Sequence, residues 1–426
     1  MLFEIWRQVA RDQPSRKALL DVPSGRSWSF AELESEAENR PAPVSPVAFP
    51  QGDSPDFIFD VLSAWRRNLP VCPLETSQLR PDIESALPED VVHLKTTSAS
   101  TGRARLVAFT GPQLLADCRN IVSTMGLRPD WPNLGVISLS HSYGFSNLVL
   151  PLLLQGIPLV LAGSSLPEAL RLAAGTQSHV CLPGVPALWR VWHESRALPK
   201  NVRLAISAGA SLALALERGI FEERGLKVHN FYGSSECGGI AYDKSVEPRD
   251  EASCAGSALD NVEVSIGADG CLEVRGPSVG KCFYPRSEPS LSEGVFHSAD
   301  IAEIRNGKIF LLGRASDQIN IAGRKVLPDA IERRLSSHPA VVECVVFGVG
   351  ETGHERGETI VACLATRETV SADSLKQFLM AELPAWQVPR KWWFVESLAP
   401  NRRGKLSRAE WRSAYLAEQE KREQRH

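Results

Sequence analysis

The sequence predicts an α/β protein. A large N-terminal domain of helix-flanked, parallel-rich sheets with a small β-barrel-like part is followed by a small α+β domain. Through most of about the first 300 residues, short apolar runs alternate with amphipathic stretches, which is typical of parallel strands joined by helices. After Asp260 the strand-like segments alternate with glycine turns, which favours an antiparallel sheet or barrel. From about Asp317 a compact α+β pattern follows. We therefore expect domains over residues 1–315 and 316–426.

The apolar runs locate the expected elements of the first domain. Helices are predicted over 165–174 and 211–224, where the apolar residues recur at helical spacing. The short apolar runs are predicted as strands over 91–94, 134–139, 159–161, 179–182, 202–206 and 228–231. The segments predicted for the antiparallel part are 262–266, 271–274 and 308–311.

In the second domain we expect helices over 329–336 and 373–383 and strands over 341–347 and 359–365. Gly348, Gly350 and Gly353 form a Gly-x-Gly-x-x-Gly pattern. A dinucleotide fingerprint must open a helix, and here a strand follows, so we interpret the pattern as a turn. Ser374 resembles an attachment serine of a carrier protein, but its position favours the N-cap of a helix.

Composition excludes several classes of protein. The chain has 426 residues and a formal net charge of −3, which argues against a general nucleic-acid or membrane-surface binder. No run reaches the roughly 18–20 apolar residues of a membrane span. The first residues lack the basic and apolar regions of a signal peptide. The nine cysteines form no Cys-x-x-Cys pair, so we expect reduced core thiols, a cytoplasmic location and no zinc site.

A hydroxyl-rich loop follows the strand predicted over 91–94. Five of the six residues from Thr96 to Thr101 carry a hydroxyl, and such a loop can donate hydrogen bonds to phosphate oxygens. It is not a Walker A loop, because no Gly-Lys-Ser/Thr follows. The alternative is a polar hairpin. The candidate phosphate-binding residues are Thr97, Ser98, Ser100, Thr101, Gly102 and Arg105.

A second motif, Tyr-Gly-Ser-Ser-Glu, occupies Tyr232–Glu236 after a predicted strand. A tyrosine can stack on a purine, and the carboxylate of Glu236 can hold Mg²⁺ through hard oxygen ligands. The alternative is a turn that ends a strand and carries a surface carboxylate. Asp300 and Arg314 could each hydrogen-bond ribose hydroxyls, although either alone would be interpreted as a solvated charge.

Taken in order, these segments resemble the adenylate-forming superfamily of acyl- and aryl-CoA synthetases, adenylation domains and luciferases. The similarity extends from about Ala18 to about Arg412. Besides the two motifs above, the matching segments are His141–Phe145 (His-x-x-Gly), Ser207–Ala210 (adenine and acyl loop), His297–Asp300 (Thr-Gly-Asp), Leu312–Asn320 with Gly323 (hinge and following loop) and Pro400–Arg408 (Gly-Lys-x-x-Arg).

The resemblance implies two half-reactions. A carboxylate attacks the α-phosphorus of MgATP, giving acyl-AMP and pyrophosphate, and a thiol of CoA or of carrier-protein phosphopantetheine then displaces AMP. By similarity Lys405 bridges the carboxylate and the α-phosphate, Glu236 holds Mg²⁺, and His141 lines the acyl pocket. The nucleotide-binding residues implied in addition to the phosphate loop are Gly209, Ala210, Tyr232, Gly233, Ser235, Asp300 and Arg314, with Gly323 presented to the thiol.

Four positions depart from the family pattern. Ala99 and Ala299 replace glycines, Arg105 replaces a lysine, and Ser316 stands where Asp or Lys is usual at the hinge. The segment between Pro73 and Thr96 is also shorter than in the family. We expect a stand-alone ligase that activates an aryl or medium-sized acyl carboxylic acid and uses CoA or a separate acyl carrier protein. The alternatives are a non-catalytic ATP- or acyl-binding homologue and a ligase with an amine or hydroxyl acceptor.

Overall fold

A computed structural model describes residues 1–43, 45–76, 78–83, 86–97, 105–350, 357–398 and 407–423. It divides into two compact units. The first comprises Met1–Gly267, Glu273–Ser298 and Ile304–Ile309, and the second comprises Ala268–Leu272, Ala299–Glu303 and Phe310–His426. None of the described helices is long and apolar enough to cross a membrane.

Helices and strands alternate through the first 260 residues. The helices are α1 (Leu2–Asp12), α2 (Phe30–Asn39), α3 (Pro55–Arg66), α4 (Gly111–Met125), α5 (Ser142–Gly144), α6 (Leu150–Gln155), α7 (Pro167–Gly175), α8 (Pro186–Glu194) and α9 (Leu214–Arg224), with a π-helical turn over Phe145–Val149. The strands are β1 (Lys17–Asp21), β2 (Arg26–Ser29), β3 (Val91–Thr96), β4 (Leu106–Thr110), β5 (Asn133–Gly135), β6 (Leu159–Leu161), β7 (Val180–Gly184), β8 (Val202–Ser207), β9 (Val228–Ser234), β10 (Gly238–Tyr242) and β11 (Cys254–Ala258).

From Glu263 to Arg314 the regular elements are strands, in agreement with the change of pattern after Asp260. They are β12 (Glu263–Ile266), β13 (Cys271–Arg275), β14 (Cys282–Tyr284), β15 (Leu291–Ser292), β16 (Val295–Arg305) and β17 (Lys308–Arg314). The remaining elements are β18 (Ile319–Ile321), β19 (Arg324–Val326), α10 (Pro328–Leu335), β20 (Val341–Gly350), β21 (Glu358–Thr366), α11 (Ala372–Met380), β22 (Lys391–Phe394) and α12 (Arg408–Glu423). Short 3-10 turns cover Ala315–Asp317 and Ala385–Gln387.

The central sheet of the first unit has a parallel core. Strands β9, β8, β7, β5, β6 and β1 lie side by side in that order, and each adjacent pair is parallel. The antiparallel strands β2 and β10 flank them. A separate sheet contains β14, β4 and β3, again antiparallel. The α/β prediction is therefore confirmed.

Burial of large apolar side chains explains why these elements pack. Trp189 and Trp192 on α8 are fully buried against the central sheet. Their rings pack edge to face with a distance of 5.3 Å between the ring centroids. Burying a large apolar side chain stabilises a fold by roughly 1.5–3 kcal/mol. All nine cysteines are unpaired thiols, and only Cys282 among them is partly exposed, as expected for core thiols.

The second unit is built around a three-stranded sheet, in which β20 and β21 are antiparallel and β22 is parallel to β21. Gly348 and Gly350 lie inside β20, so the turn predicted for the Gly-x-Gly-x-x-Gly pattern is wrong at its first two glycines, while residues 351–356 are not described. A second local prediction is also wrong. Ser371, not Ser374, is the N-cap of α11: its hydroxyl accepts a hydrogen bond from the Ser374 amide at 3.1 Å, and this places Ser374 in the first turn.

Candidate active site

Three of the predicted site segments follow strands in the parallel core of the central sheet. His141 comes after β5, Gly209 and Ala210 come directly after β8, and Glu236 comes directly after β9. The carboxyl ends of parallel strands meet at one edge of a sheet, where ligands bind in open α/β folds. The topology therefore brings these segments to the same edge of the first unit.

The His141 segment packs over β8 and β9. The Tyr143 hydroxyl donates to the carbonyl oxygen of Ile206 at 3.3 Å, and its ring lies 5.9 Å from the ring of Phe231. Burial raises the pKa of Tyr143 well above its ordinary value. Tyr143 therefore stays a neutral donor, and it attaches the segment that carries His141 to the end of strand β8.

His141 has a carboxylate partner that the sequence gave no reason to expect. Its Nε2 is in direct contact with Oε1 of Glu75, and both side chains are partly exposed. Nearby, Asp53 Oδ1 accepts a hydrogen bond from the Leu139 amide at 2.6 Å. Burial raises the pKa of Asp53, and the charge of Glu75 adds to that effect. Glu75 and Asp53 precede His141 by many residues, so no local pattern links them to it.

The hydroxyl-rich segment connects the two strands of a hairpin. The Thr97 amide donates to the Arg105 carbonyl oxygen at 2.8 Å, and the Arg105 amide donates to Thr97 Oγ1 at 3.3 Å. These bonds close the base of the hairpin β3–β4. The other predicted phosphate-binding residues, Ser98, Ser100, Thr101 and Gly102, lie outside the described residues, as does Ala99.

The Arg105 guanidinium forms an ion pair within the protein. Its Nη1 lies 2.8 Å from Oε2 of Glu288, and both side chains are about half exposed. The ring of Phe283 lies 5.8 Å from the guanidinium carbon. This is a second contact for which the sequence offered no signal, because Glu288 lies far along the chain.

The Glu236 motif lies further inside the sheet than we predicted. Strand β9 continues to Ser234, so Tyr232 and Gly233 belong to the strand, and only Ser235, Glu236 and Cys237 form the turn. Ser234 Oγ accepts hydrogen bonds from the amides of Glu236 at 3.1 Å and Cys237 at 3.3 Å. These bonds hold the backbone of the turn, and the Glu236 side chain is partly exposed.

Backbone hydrogen bonds connect the Glu236 turn with the phosphate hairpin. The Gly280 amide donates to the Glu236 carbonyl oxygen at 2.8 Å, and the next amide, that of Lys281, donates to the Ala108 carbonyl oxygen at 2.8 Å. Ala108 is in β4. One short segment therefore contacts both the candidate metal-binding turn and the strand that leaves the candidate phosphate loop.

The exposed loop at Gly209 and Ala210 is anchored by a buried arginine. Arg249 Nη2 donates to the Leu212 carbonyl oxygen at 2.8 Å, and its Nε donates to Glu217 Oε2 at 2.9 Å. Lys227 Nζ contacts the carboxylates of both Glu217 and Asp243, and it lies 2.7 Å from Asp243 Oδ2. Two cations and two anions thus balance in a buried cluster, in which each charge has a partner of opposite sign.

In the second unit Asp300 and Arg314 contact each other. Arg314 Nε donates to Asp300 Oδ1 at 3.0 Å, and Arg314 remains half exposed. Gly323 lies in the turn of the hairpin β18–β19, with φ +86° and its amide donating to Asn320 Oδ1 at 2.8 Å. The structure thus brings together two of the predicted ribose-binding residues. Lys405 lies outside the described residues.

Comparison with protein families decides the class. A model of AMP-binding enzymes matches residues 47–284, and a model of the C-terminal domain of AMP-binding enzymes matches residues 330–405. The chain belongs to the AMP-binding enzyme family. This confirms the predicted superfamily and its class of reaction, the ATP-dependent and AMP-forming activation of an acid for transfer to a thiol.

Several curated relatives of this AMP-binding enzyme have been named for their reactions. A feruloyl-CoA synthase of Amycolatopsis is 27% identical over 357 residues, which cover 79% of this chain and 72% of the relative. A 2-succinylbenzoate–CoA ligase of Bacillus cereus is 27% identical over 76% of this chain and 70% of the relative. A 2,3-dihydroxybenzoate-AMP ligase of Bacillus subtilis is 25% identical over 78% of this chain and 65% of the relative.

Solved structures support the fold of this AMP-binding enzyme. The o-succinylbenzoate CoA synthetase of Bacillus subtilis, solved with its acyl-adenylate, superposes with a TM-score of 0.81 at 21% identity and covers 96% of this chain and 97% of its own. ATP-bound MatB of Rhodopseudomonas palustris gives a TM-score of 0.85 at 20% identity, with coverage of 97% and 99%. At such identities the similarity concerns the fold alone.

Proposed function

We propose that this enzyme converts an aromatic carboxylic acid into an acyl-adenylate with MgATP and then transfers the acyl group to the thiol of CoA. The observation that carries the proposal is the family match together with the convergence of the His141, Gly209 and Glu236 segments at one edge of the sheet. The named relatives act on feruloyl, succinylbenzoate and dihydroxybenzoate groups, each of which contains an aromatic ring. That shared chemistry favours an aryl acid here.

We infer that each unit carries nucleotide-binding groups of its own. In the first unit, Thr97, Arg105 and the hydroxyl-rich residues between them would receive the β- and γ-phosphates. Tyr232 would stack on the adenine, next to Gly209 and Ala210. In the second unit, the paired Asp300 and Arg314 would hydrogen-bond the ribose, since an ionised carboxylate is a strong acceptor for hydroxyl donors.

The donor set of the Glu236 turn fits Mg²⁺. It offers a carboxylate and the Ser235 hydroxyl, which are hard oxygen ligands, and Mg²⁺ is usually held by one or two carboxylates together with substrate phosphates. When bound there, the ion neutralises phosphate charge. The protein's contribution is to fix the position of Glu236, which it does through Ser234 and Gly280.

In the first half-reaction, a carboxylate oxygen of the acid forms a bond to the α-phosphorus while the bond to the bridging oxygen breaks and pyrophosphate leaves. Both reactants are anions, so a cation placed where charge accumulates is the main source of catalysis. Lys405 supplies that cation in our proposal, and His141 lines the pocket that orients the acid.

In the second half-reaction, the thiol sulfur attacks the acyl carbon, the bond from that carbon to the phosphate oxygen breaks, and AMP leaves. The thiol proton passes to solvent. Gly323 would lie at the hairpin that faces the incoming thiol. A carrier-protein phosphopantetheine offers the same thiol, and the acceptor assay below distinguishes it from free CoA.

Pyrophosphate release tests the proposal. The enzyme is incubated with MgATP, hydroxylamine as a trap, and a panel of aryl and short- to long-chain fatty acids. We expect release with aryl acids, loss of release in Lys405→Ala and full release in the control Lys308→Ala, which removes an exposed lysine outside the motifs. Tight ATP binding without release for any acid would instead favour the non-catalytic homologue.

The acceptor is tested with the same panel. AMP formation is measured with CoA, with a phosphopantetheinylated carrier protein, and with simple amines. CoA-dependent AMP release supports the proposal. Release only with the carrier protein would show that the carrier protein, and not CoA, is the acceptor. Lys405→Ala should still transfer the acyl group from synthetic acyl-AMP, because Lys405 acts on the α-phosphate in the first step.

A further inference from the structure

We propose that Lys95, Asp117 and Ser146 are positioning residues that hold the phosphate hairpin, the acyl-pocket segment and the Glu236 turn in one arrangement. The inference rests on the proposed function of those segments. None of the three residues belongs to a motif that the family resemblance supplied. All three are buried, which favours a role through the residues they hold.

The three side chains form a compact buried group. Lys95 Nζ lies 3.2 Å from Ser146 Oγ and 3.5 Å from Asp117 Oδ2, and the Ser146 hydroxyl donates to the same Asp117 oxygen at 2.6 Å. The side chains of Lys95 and Asp117 are 2% and 1% exposed. The centroid of the Phe109 ring lies 4.5 Å from Nζ, so an aromatic face covers the cation.

Each member belongs to a different element of the candidate site. Lys95 is in β3, two residues before Thr97 at the base of the phosphate hairpin. Ser146 is in the π-helical turn that continues the His141 segment, and π-helical turns are often found at functional sites. Asp117 is on α4, and its Oδ1 accepts a hydrogen bond from the Gly239 amide at 3.0 Å.

The contact at Gly239 extends the group to the Glu236 turn. Gly238, two residues after Glu236, has φ +71°, and a Cβ atom there would lie only 2.1 Å from Asp117 Oδ1. The backbone after the turn can therefore approach the carboxylate only as glycine. Asp117 fixes where strand β10 begins, and through it the end of the turn that carries Glu236.

A purely stabilising role would not require charges here. Replacing a buried ion pair by apolar side chains of similar volume often leaves stability unchanged or improves it. Such a replacement removes directional hydrogen bonds. The bonds of Asp117 and Ser146 specify which elements meet and at what distance. A misplacement of about 1 Å at a reacting centre can lower a rate by about 100-fold. The pair therefore acts through the placement of other residues.

Two mild variants test the proposal in the full-length enzyme. Ser146→Ala removes the bridging hydroxyl, and Asp117→Asn removes the charge while keeping an acceptor for the Gly239 amide. The control is Leu170→Ala, which opens a cavity in the core around α7 and lowers stability without touching the three elements. Melting temperature, MgATP affinity by calorimetry, and kcat and KM of pyrophosphate release are measured for each.

We expect both variants to lower kcat/KM for MgATP and for the acid by about 10- to 100-fold. The Leu170→Ala control should show a smaller decrease in kcat/KM even where its melting temperature falls by the same amount. Restoring the hydroxyl with Ser146→Thr should recover part of the loss. Values within twofold of the control would overturn the inference. If the wild type releases no pyrophosphate, the proposed function fails separately, and the comparison of MgATP affinities still decides the positioning role.

Discussion

Arg408 Nη1 lies 2.5 Å from Asp317 Oδ2, which joins the residue that ends the Gly-Lys-x-x-Arg motif to the residue that follows hinge position Ser316. The same guanidinium contacts Glu332 at 2.5 Å and Asp329 at 3.0 Å. Burial raises the pKa of Glu332, an effect that Arg408 opposes. One cation therefore pairs with three carboxylates, and it attaches the start of α12 to the predicted hinge and to α10.

Replacing Arg408 should loosen this attachment. A lysine cannot form the forked contacts of a guanidinium, and breaking a buried pair costs about 3–5 kcal/mol. Since Arg408 is 21% exposed, we expect Arg408→Lys to destabilise by about 2 kcal/mol. Glu332 Oε1 also accepts the Val346 amide at 2.7 Å, so hydrogen exchange at Val346 should accelerate. Arg422→Lys, at an exposed pair with Glu418, should change nothing measurable.

The hairpin that precedes α10 contains a strained residue. Ala322 and Gly323 form the two-residue turn between β18 and β19, with φ of +50° and +86°. Both values are those of a type I′ turn, in which asparagine or glycine is favoured at the first position. Ala322→Asn should therefore stabilise the chain by about 0.5–1 kcal/mol, measured as a rise in melting temperature.

A glycine substitution supplies the matched control for that prediction. Ala322→Gly should stabilise, because glycine adopts positive φ without steric cost. Ala417→Gly, at an exposed position in the middle of α12, should destabilise by about 1 kcal/mol, since glycine is a poor helix former. Equal losses from the two glycine variants would show that the turn at Ala322 is not strained.

His93 should make stability depend on pH. It is fully buried, neither ring nitrogen has a hydrogen-bond partner among the described residues, and burial lowers its pKa well below the ordinary value. The unfolded chain therefore takes up a proton below pH about 6.5 that the folded chain refuses. Stability is lost as the pH falls, at a slope of about 1.4 kcal/mol per pH unit from this group.

His93→Phe removes the titrating group and keeps a ring beside Phe109 and Phe145. The centroids of these two rings lie 6.4 and 4.3 Å from the centroid of the His93 ring. Urea unfolding of both proteins at several pH values from about 5 to about 7.5 measures the difference. The variant should gain stability relative to wild type as the pH falls. Parallel stability curves for the wild type and His93→Phe would contradict the assignment.

The sequence predicted the elements better than the contacts between them. Helix α10 was expected over 329–336 and forms over Pro328–Leu335, because apolar spacing and a proline at the start are local signals. The partners of His141, Arg105 and Arg408 were not predicted. Each pair joins residues far apart in the chain, and only the folded topology places Glu75, Glu288 or Asp317 beside them.

Local signals also fail where a strand contains glycine. We predicted that the strand before the Tyr-Gly-Ser-Ser-Glu motif ends at Phe231, yet β9 continues through Gly233 to Ser234. The register with β10 explains the extension, because Gly233 pairs with Gly239 and Ser234 with Gly238. Pairing with a second strand outweighs the weak strand preference of glycine. Such pairing cannot be read from one segment alone.

The Arg105–Glu288 pair should limit the affinity for MgATP. Both side chains are about half exposed, so the pair contributes little to stability, about 0–1 kcal/mol. A carboxylate beside the phosphate hairpin nevertheless repels the anionic phosphates and occupies the guanidinium. Glu288→Gln should therefore lower the KM for MgATP by about 2- to 5-fold, an effect of the same size as an exposed ion pair.

Salt dependence and a matched control separate this effect from a general change of charge. Glu263→Gln removes one negative charge from exposed strand β12 and should leave the KM unchanged. Raising the ionic strength should shrink the difference between Glu288→Gln and wild type, because exposed charges are screened over about 10 Å at 0.1 M salt. An increase in KM for Glu288→Gln would mean that Glu288 holds Arg105 in its binding orientation instead of competing for it.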